Sequence, residues 1–310
     1  MERIFVGLDV SKDRLDVHVR PTGERFAVTY DDAGLAALLS RLSPLQPTLV
    51  VLEATGGYEV AVAAALANAG LPVAVVNPRQ IRDFARATGQ LAKTDSLDAR
   101  VTARFAETVQ PPARPLATEQ AQVLGELIAR RRQLVEMLGA ETNRRRQARD
   151  RGLQKRITAH VSWLTRAIEE LEGEIKRLIR SSPVWRETED LLTSAPGIGD
   201  ITAHALIADL PELGRLTRRR IAALVGIAPV NRDSGLWRGR RMIGGGRPAV
   251  RRALYMATMV AIRYNPPIAA VYRRLTRAGR PKKVAIIAAM RKLVTILNAM
   301  LRDRCPWQPA

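Results

Sequence analysis

Four carboxylates stand where acids can do more than solvate. Asp9 lies at the end of the mostly apolar run Ile4-Phe5-Val6-Gly7-Leu8-Asp9-Val10, and Glu53 ends a second such run. Asp95 and Asp98 sit three residues apart within Lys93-Thr94-Asp95-Ser96-Leu97-Asp98-Ala99-Arg100. Thr94 or Asp95 can cap a helix through Leu97, Val101 and Phe105, which places both aspartates on one face near its positive end. Taken alone, that octapeptide is an acid-biased, solvated first turn, and single acids commonly punctuate strand ends. Four together repel one another unless hard cations neutralise them, and oxygen donors suit Mg²⁺ or Mn²⁺. Two such ions can stabilise the attacking and leaving oxygens at a phosphorus.

A second constellation is cationic. Between Arg215 and Arg252 there are eleven arginines, no lysine and one acid, Asp233. Arginine alone favours bidentate phosphate contacts over general solubility. Inside this stretch, Ser234-Gly235 is flanked by Arg232, Arg238, Arg240 and Arg241, and Gly244-Gly245-Gly246-Arg247 leads into a helix from Pro248 to Tyr264 that carries Arg251. That is a phosphate-gripping arrangement. Ser234 can hydrogen-bond a phosphate, cap a turn or act as a nucleophile. The three histidines, His18, His160 and His204, lie far from it in sequence, which argues against a Ser-His-Asp triad. A nucleophilic serine here needs a metal or the arginines to activate it. Upstream, Pro196-Gly197-Ile198-Gly199-Asp200 followed by an Ala/Leu/Ile run resembles a helix-hairpin-helix turn, with Gly197 and Gly199 offering N–H groups to a phosphate. A plain helical packing corner requires the same glycines.

The elements that must position these residues follow from periodicity. The first apolar run, the alternation Leu15–Val19 and the alternation Phe26, Val28, Tyr30 predict three strands in meander order. A helix capped by Asp32, a strand over Thr48–Ala54, an Ala-rich helix Tyr58–Ala69, a strand Pro72–Asn77 and helices Gln80–Thr88 and Asp95–Thr108 come next. The order βββαβαβα is that of the α/β ribonuclease H-like fold. There the first and fourth strands are central neighbours, and the four acids converge at one sheet edge. Residues 113–185 predict a helical coiled coil: Ala117–Arg149 has a seam interrupted by Arg131, and Ile157, Val161, Leu164, Ile168, Leu171, Ile175 and Leu178 form a regular one. The triplets Arg130–Arg132 and Arg144–Arg146 are either solvated or hold a nucleic-acid backbone. Residues 186–310 read as mostly α. The expected domains are therefore 1–112, 113–185 and 186–310.

Charge divides the chain in the same way. Residues 1–112 hold twelve basic and thirteen acidic side chains, and the rest holds 38 basic and 17 acidic. A near-neutral module joined to a basic remainder fits a catalytic unit with a nucleic-acid grip. A single cysteine, Cys305, excludes an intrachain disulfide and a Cys-based zinc finger, and fits a reducing cytosol. No uninterrupted run of about eighteen apolar residues and no signal pattern occurs, so the expectation is a soluble cytoplasmic protein acting on DNA, with no membrane partner.

Gly7-Leu8-Asp9-Val10-Ser11-Lys12, Leu52-Glu53-Ala54-Thr55-Gly56-Gly57-Tyr58 and Lys93–Ala99 resemble the DEDD motifs of the "one-ten" insertion-sequence transposases, whose N-terminal domain is similar to the RuvC Holliday-junction resolvase. The segment Ser234–Arg251 resembles the C-terminal transposase motif of that family. The resemblance covers nearly the whole chain. It implies an RNA-guided recombinase in which Asp9, Glu53, Asp95 and Asp98 hold Mg²⁺, and in which Ser234 attacks DNA to form a phosphoserine link. It implies donor and target double-stranded DNA and a structured guide RNA as partners. The long seam and the need to hold two DNA ends predict a dimer or tetramer. A metal-dependent junction nuclease without serine chemistry, and a non-catalytic nucleic-acid-binding protein, are the competing readings.

Overall fold

The computed structural model describes residues 3–54, 56–90, 95–113, 118–231, 233–235, 237–239 and 241–308, with the side chains of residues 95–97 excepted. The chain forms two compact units, Met1–Ala117 and Thr118–Ala310.

The first unit runs β1 (Phe5–Val10), β2 (Arg14–Arg20), β3 (Arg25–Thr29), α1 (Asp32–Leu42), β4 (Leu49–Glu53), α2 (Tyr58–Asn68), β5 (Val73–Val76), α3 (Pro78–Ala87) and α4 (Asp95–Val109). Its strands form one sheet in the order β3-β2-β1-β4-β5. β1 pairs antiparallel with β2 and parallel with β4, so β1 and β4 are central neighbours, as the element order predicts. The residue that caps α1 is Asp31, not Asp32: its carboxylate accepts from Gly34 N at 2.7 Å. Thr94, the other candidate cap of α4, lies outside the described residues.

Strand alternation sorts the sheet into two faces. Val6, Leu8, Val10, Leu15, Val17, Val19, Val50 and Leu52 pack with Leu38 and Leu42 of α1 and Val62 and Leu66 of α2. Phe5, Leu49, Val51, Ala74 and Val76 face the other way, against Ile81 of α3 and Val101 and Phe105 of α4. Gly7 shares this second face, and it allows α4 to press on β1. A Cβ on Gly7 would collide with Ala103 N and Ala99 O of the helix backbone.

The second unit begins with a hairpin of α5 (Glu119–Gln147) and α6 (Arg151–Ser181), turned by Asp150, which caps α6. Part of the predicted seam closes within the chain: Leu164 and Ile168 pack with Leu134, and Ile175 packs with Leu124 and Ile128. Arg131, the seam's interruption, pairs with Glu172 across the hairpin. Arg132 pairs with Asp209, and Arg144 with Glu141, so these members of the triplets are tied into the protein. The hairpin packs through Leu124, Ile128 and Ile179 on Trp185 and Ile207, which makes it part of the same unit as the C-terminal helices.

Then follow α7 (Pro183–Thr193), α8 (Asp200–Asp209), α9 (Arg218–Val225), four two-residue strands β6 (Pro229–Val230), β7 (Asp233–Ser234), β8 (Trp237–Arg238) and β9 (Met242–Ile243), and α10 (Pro248–Tyr264), α11 (Pro266–Arg277) and α12 (Lys282–Asp303). α12 is long and apolar enough to cross a membrane by length and composition, although Arg291-Lys292 interrupts it, and half of its most apolar window is buried. Ala289, Met290, Leu293, Val294 and Leu297 are fully covered by the helices around them, so α12 is the core helix of this unit.

The packing of α4 on β1 yields a test. Because the atoms opposing Gly7 are backbone, they cannot rotate away, and Gly7→Ala should destabilise the first unit by roughly 3 kcal/mol. Urea unfolding of the variant would read this as a lowered midpoint. A midpoint unchanged from the parent would show that α4 does not sit against β1.

Candidate functional site

β1 and β4 run parallel with Leu8 beside Leu52, so the next pair in that register is Asp9 beside Glu53. Both fall on the face that α4 covers, both are half-buried, and both stand where their strands end. Asp98 lies in the first turn of α4. It is one helical turn before Val101 and Thr102, which are buried against the sheet, so it belongs to the sheet-facing side of the helix and is itself half-buried. Three of the four predicted acids thus belong to one end of one sheet face. Asp95 begins the same helix, but its side chain lies outside the described ones. Asp9, Glu53 and Asp98 each make further interactions of their own. Among the described residues, no three His, Cys, Asp or Glu side chains converge tightly enough to hold a metal ion. The donor set is nevertheless all carboxylate, the chemistry that suits Mg²⁺ or Mn²⁺.

A fifth acid, which sequence reasoning missed, borders this edge. Asp16 on β2 lies directly across from Asp9, is only 8% exposed, and accepts from Arg14 Nε at 3.1 Å and Nη2 at 2.5 Å. Alternation makes Asp16 and His18 look like polar positions on an open face, yet α4 covers β2 as well as β1. The signal was in the turn. Ser11 Oγ donates to Arg14 O at 2.8 Å, and that tight connection sets Val10 opposite Leu15 and therefore Asp9 opposite Asp16. His18, beside Gly7, is held below the ordinary histidine range by burial first and then by Arg25, Arg20 and Arg100, so it is neutral at pH 7.

In the second unit, Ser234 stands near the tip of a two-stranded arm. β6 pairs with β9, and β7 pairs with β8, with Ser234 opposite Trp237 and Asp233 opposite Arg238. Ser234, Arg238 and Arg241 are exposed. Arg232 and Arg240, both expected to bind phosphate, lie outside the described residues. The described residues form no ion pair with Arg238 or Arg241.

Arg247 and Arg251, expected to bind phosphate as well, are engaged inward. Arg247 makes a bidentate pair with Glu212, both bonds 2.6 Å, and donates to Asp209 O at 2.9 Å. Arg251 Nη1 donates to Gly245 O at 2.8 Å and lies within 3.4 Å of the carbonyls of Val225 and Gly226. These contacts tie the Gly244–Gly246 turn to the end of α9. Gly226 closes that helix at φ +81°, and a Cβ there would meet Gly245 O and the Arg251 guanidinium. Of the three glycines Gly246 is the close-packed one, since a Cβ there would meet the backbone of Val225 and Gly226, while Gly244 and Gly245 have open space beside them.

The Gly197-Ile198-Gly199 turn divides in a similar way. A Cβ on Gly197 would sit 2.7 Å from Ala261 Cβ of α10, so this glycine serves helix packing. Gly199 is exposed with open space beside it and precedes α8 without a side-chain cap. Asp200 already places a carboxylate at that helix start, 2.8 Å from Lys176 Nζ, and this hydrogen bond holds the Asp200 carboxyl below its usual range. Of the other histidines, His204 is buried with Nε2 2.7 Å from Glu189, and His160 stacks on Trp163.

Comparison with known proteins gives a consistent result. Residues 6–151 match a family model described as a transposase of the DEDD IS110 type, and residues 189–273 match one described as transposase of the IS116/IS110/IS902 family. The chain is 27% identical over 325 aligned residues to the pilin gene-inverting protein of Moraxella bovis, covering 99% of this chain and 98% of that protein. The protein of the same name from Moraxella lacunata matches at the same identity and coverage. An uncharacterized 42 kDa protein of insertion element IS900 from Mycobacterium paratuberculosis is 29% identical over 161 residues, 50% of this chain and 39% of that protein.

The two sets of arginines should separate experimentally. Arg238→Ala and Arg241→Ala should each lower the slope of log K against log salt for DNA binding by about one, with the melting temperature unchanged. Arg247→Ala and Arg251→Ala should instead destabilise the second unit by roughly 1–2 kcal/mol, because each removes several hydrogen bonds that are in part buried. A salt slope unmoved by Arg238→Ala and Arg241→Ala would mean that the arm does not touch the DNA backbone.

Proposed function

The chain belongs to the IS110 family of insertion-sequence transposases and is a DNA-recombining enzyme, and from that premise we propose that it cuts and rejoins DNA strands with a carboxylate metal site and a serine nucleophile. The observation that carries the reading is the register that sets Asp9 beside Glu53 at the ends of two parallel strands, under the first turn of the helix that bears Asp95 and Asp98. The strand order β3-β2-β1-β4-β5 supports reading the first unit as a ribonuclease H-like domain. Asp9, Glu53, Asp95 and Asp98 would hold Mg²⁺ or Mn²⁺. Such ions, when bound, stabilise negative charge on the oxygens around a reacting phosphorus.

Ser234 is the group that attacks. Its Oγ forms a bond to phosphorus as the P–O bond to one deoxyribose breaks, and that strand leaves with a hydroxyl. Attack by the hydroxyl of a second strand on the phosphoserine reverses the step, so the energy of the phosphodiester is kept. The arm supports this role: it exposes Ser234 opposite Trp237, and the return strand also carries the exposed Arg238 and, further along, Arg241. Cationic surroundings favour the serine alkoxide and hold the phosphate. The Moraxella relative is named for inverting a gene, and inversion requires that every cut end be rejoined. A covalent intermediate meets that requirement more simply than hydrolysis and ligation.

The same reading includes donor and target duplex DNA, a structured guide RNA and a homo-oligomer. The net charge of +20, concentrated after residue 112, supports polyanionic partners. Two DNA ends must be held at once, which supports a dimer or tetramer.

The test uses the full-length protein with its element-end DNA, the RNA transcribed from the non-coding flank of the element, and Mg²⁺. Denaturation followed by mass spectrometry should find DNA linked through phosphate to Ser234. Ser234→Ala should bind DNA within a few-fold of the parent and form no adduct, and Asp9→Ala should also abolish strand cleavage while the melting curve is kept. Normal cleavage by Ser234→Ala, with free ends released, would replace this reading with that of a hydrolytic junction nuclease.

A further inference from the structure

Trp237 is 65% exposed, the most exposed of the four tryptophans. Trp185 and Trp307 pack against hydrophobic clusters, and Trp163, 50% exposed, stacks on His160. Trp237 is also the residue directly opposite Ser234 across the tip of the arm. In an antiparallel pair, side chains directly opposite project from the same face, with Cβ atoms about 4.5–5.5 Å apart. Gly235, which follows Ser234, takes φ +55°, a value suited to the tight hairpin turns that keep such pairs in register. A large indole is therefore held beside the serine hydroxyl by backbone pairing, without any hydrophobic cluster beneath it.

Its surroundings specify what can cover it. Arg238, the next residue along the strand, shares the other face of the ribbon with Asp233, Arg241 lies three residues further on, and both arginines are exposed. An exposed π surface on a ribbon that also carries exposed arginines fits an anionic polymer whose monomers carry aromatic faces. Two copies of this arm would instead bring like charges together. We propose that Trp237 stacks on a nucleobase next to the scissile phosphate, and so positions the strand for Ser234. The positioning rests on the reading of Ser234 as the nucleophile; the stacking itself needs no chemistry. An opened base at the cleavage point offers a face to the indole, and stacking of this kind tolerates any base because every base has one. Trp237 is thus a positioning residue.

The experiment is photo-cross-linking. Element-end DNA carrying 5-iododeoxyuridine at successive positions is bound to the full-length protein with the flanking non-coding RNA, irradiated, and mapped by mass spectrometry. The expected result is a cross-link to Trp237 from a base adjacent to the cleaved phosphate, in the parent and equally in Ser234→Ala. Trp237→Ala should lose it and slow strand cleavage roughly tenfold or more, in line with the loss of one base–aromatic stack. Trp237→Phe should recover most of the rate, which the loss of a merely bulky side chain would not predict. Cross-links that map elsewhere, together with a normal cleavage rate for Trp237→Ala, would overturn the proposal. So would a change in oligomeric mass in Trp237→Ala with the DNA cross-links unmoved, because the indole would then be a contact between protein copies. If Ser234→Ala cleaves normally while the Trp237 cross-link persists, the stacking stands and only the serine chemistry falls.

Discussion

The close approach of α4 to β1 at Gly7 is the constraint on which the first unit depends. A helix normally keeps its distance from a sheet because side chains fill the gap. Here Gly7 supplies none, and Ala99 and Ala103 supply almost none, so backbone meets backbone. That contact fixes where the helix begins relative to the strand ends. Asp98 immediately precedes Ala99, and Asp9 follows Gly7 by two residues on the same face. The contact that packs the core therefore also sets the spacing of the acids. A bulkier side chain at Gly7 would raise the helix and move Asp98 away from Asp9 and Glu53 together.

The second unit solves a different problem. The nucleophile that we propose must reach a nucleic-acid strand from an exposed support, and short exposed ribbons are marginal on their own. The base of the arm is accordingly secured from the protein side. Arg251 holds the carbonyl of Gly245, Arg247 clamps Glu212, and Arg247 N donates to Leu224 O at 3.0 Å. Beyond that base the ladders are only two residues long and the tip carries Ser234, Trp237 and Arg238 into solvent. The side-chain hydrogen bonds are concentrated at the base of the arm.

Much of this was legible in the sequence, and the exceptions share a cause. Asp9 and Glu53 could be found because each interrupts an apolar run, and strand order could be read from alternation and chain order. The role of each arginine could not. Arg238 and Arg247 are the same residue type in the same loop, and only the position of Glu212, 35 residues upstream of Arg247, makes one of them structural. Asp16 and His18 were opaque for a similar reason: alternation reports that two faces differ, not that a distant helix will cover the polar one. α12 shows the same limit in reverse, since its composition suits a lipid-facing helix as well as a core helix, and only its neighbours decide. Local pattern predicts local structure; which partner a polar or apolar side chain meets is a tertiary fact.

Asp16 sharpens the electrostatic problem at the sheet edge. Asp9 has a carboxylate beside it on each neighbouring strand: Glu53 on β4 by the register, and Asp16 on β2. Such a row is unfavourable in a partly buried setting, and the two flanks are treated differently. Asp16 is neutralised from within by Arg14, two residues along its own strand and 60% exposed at the side chain. Glu53 lies toward the side where the proposed cations would bind. The arginine on the β2 flank offsets the charge of Asp16 and of no acid on β4 or α4. The hard cation that we propose would accordingly be drawn to the Glu53 side of Asp9 and not to the Asp16 side.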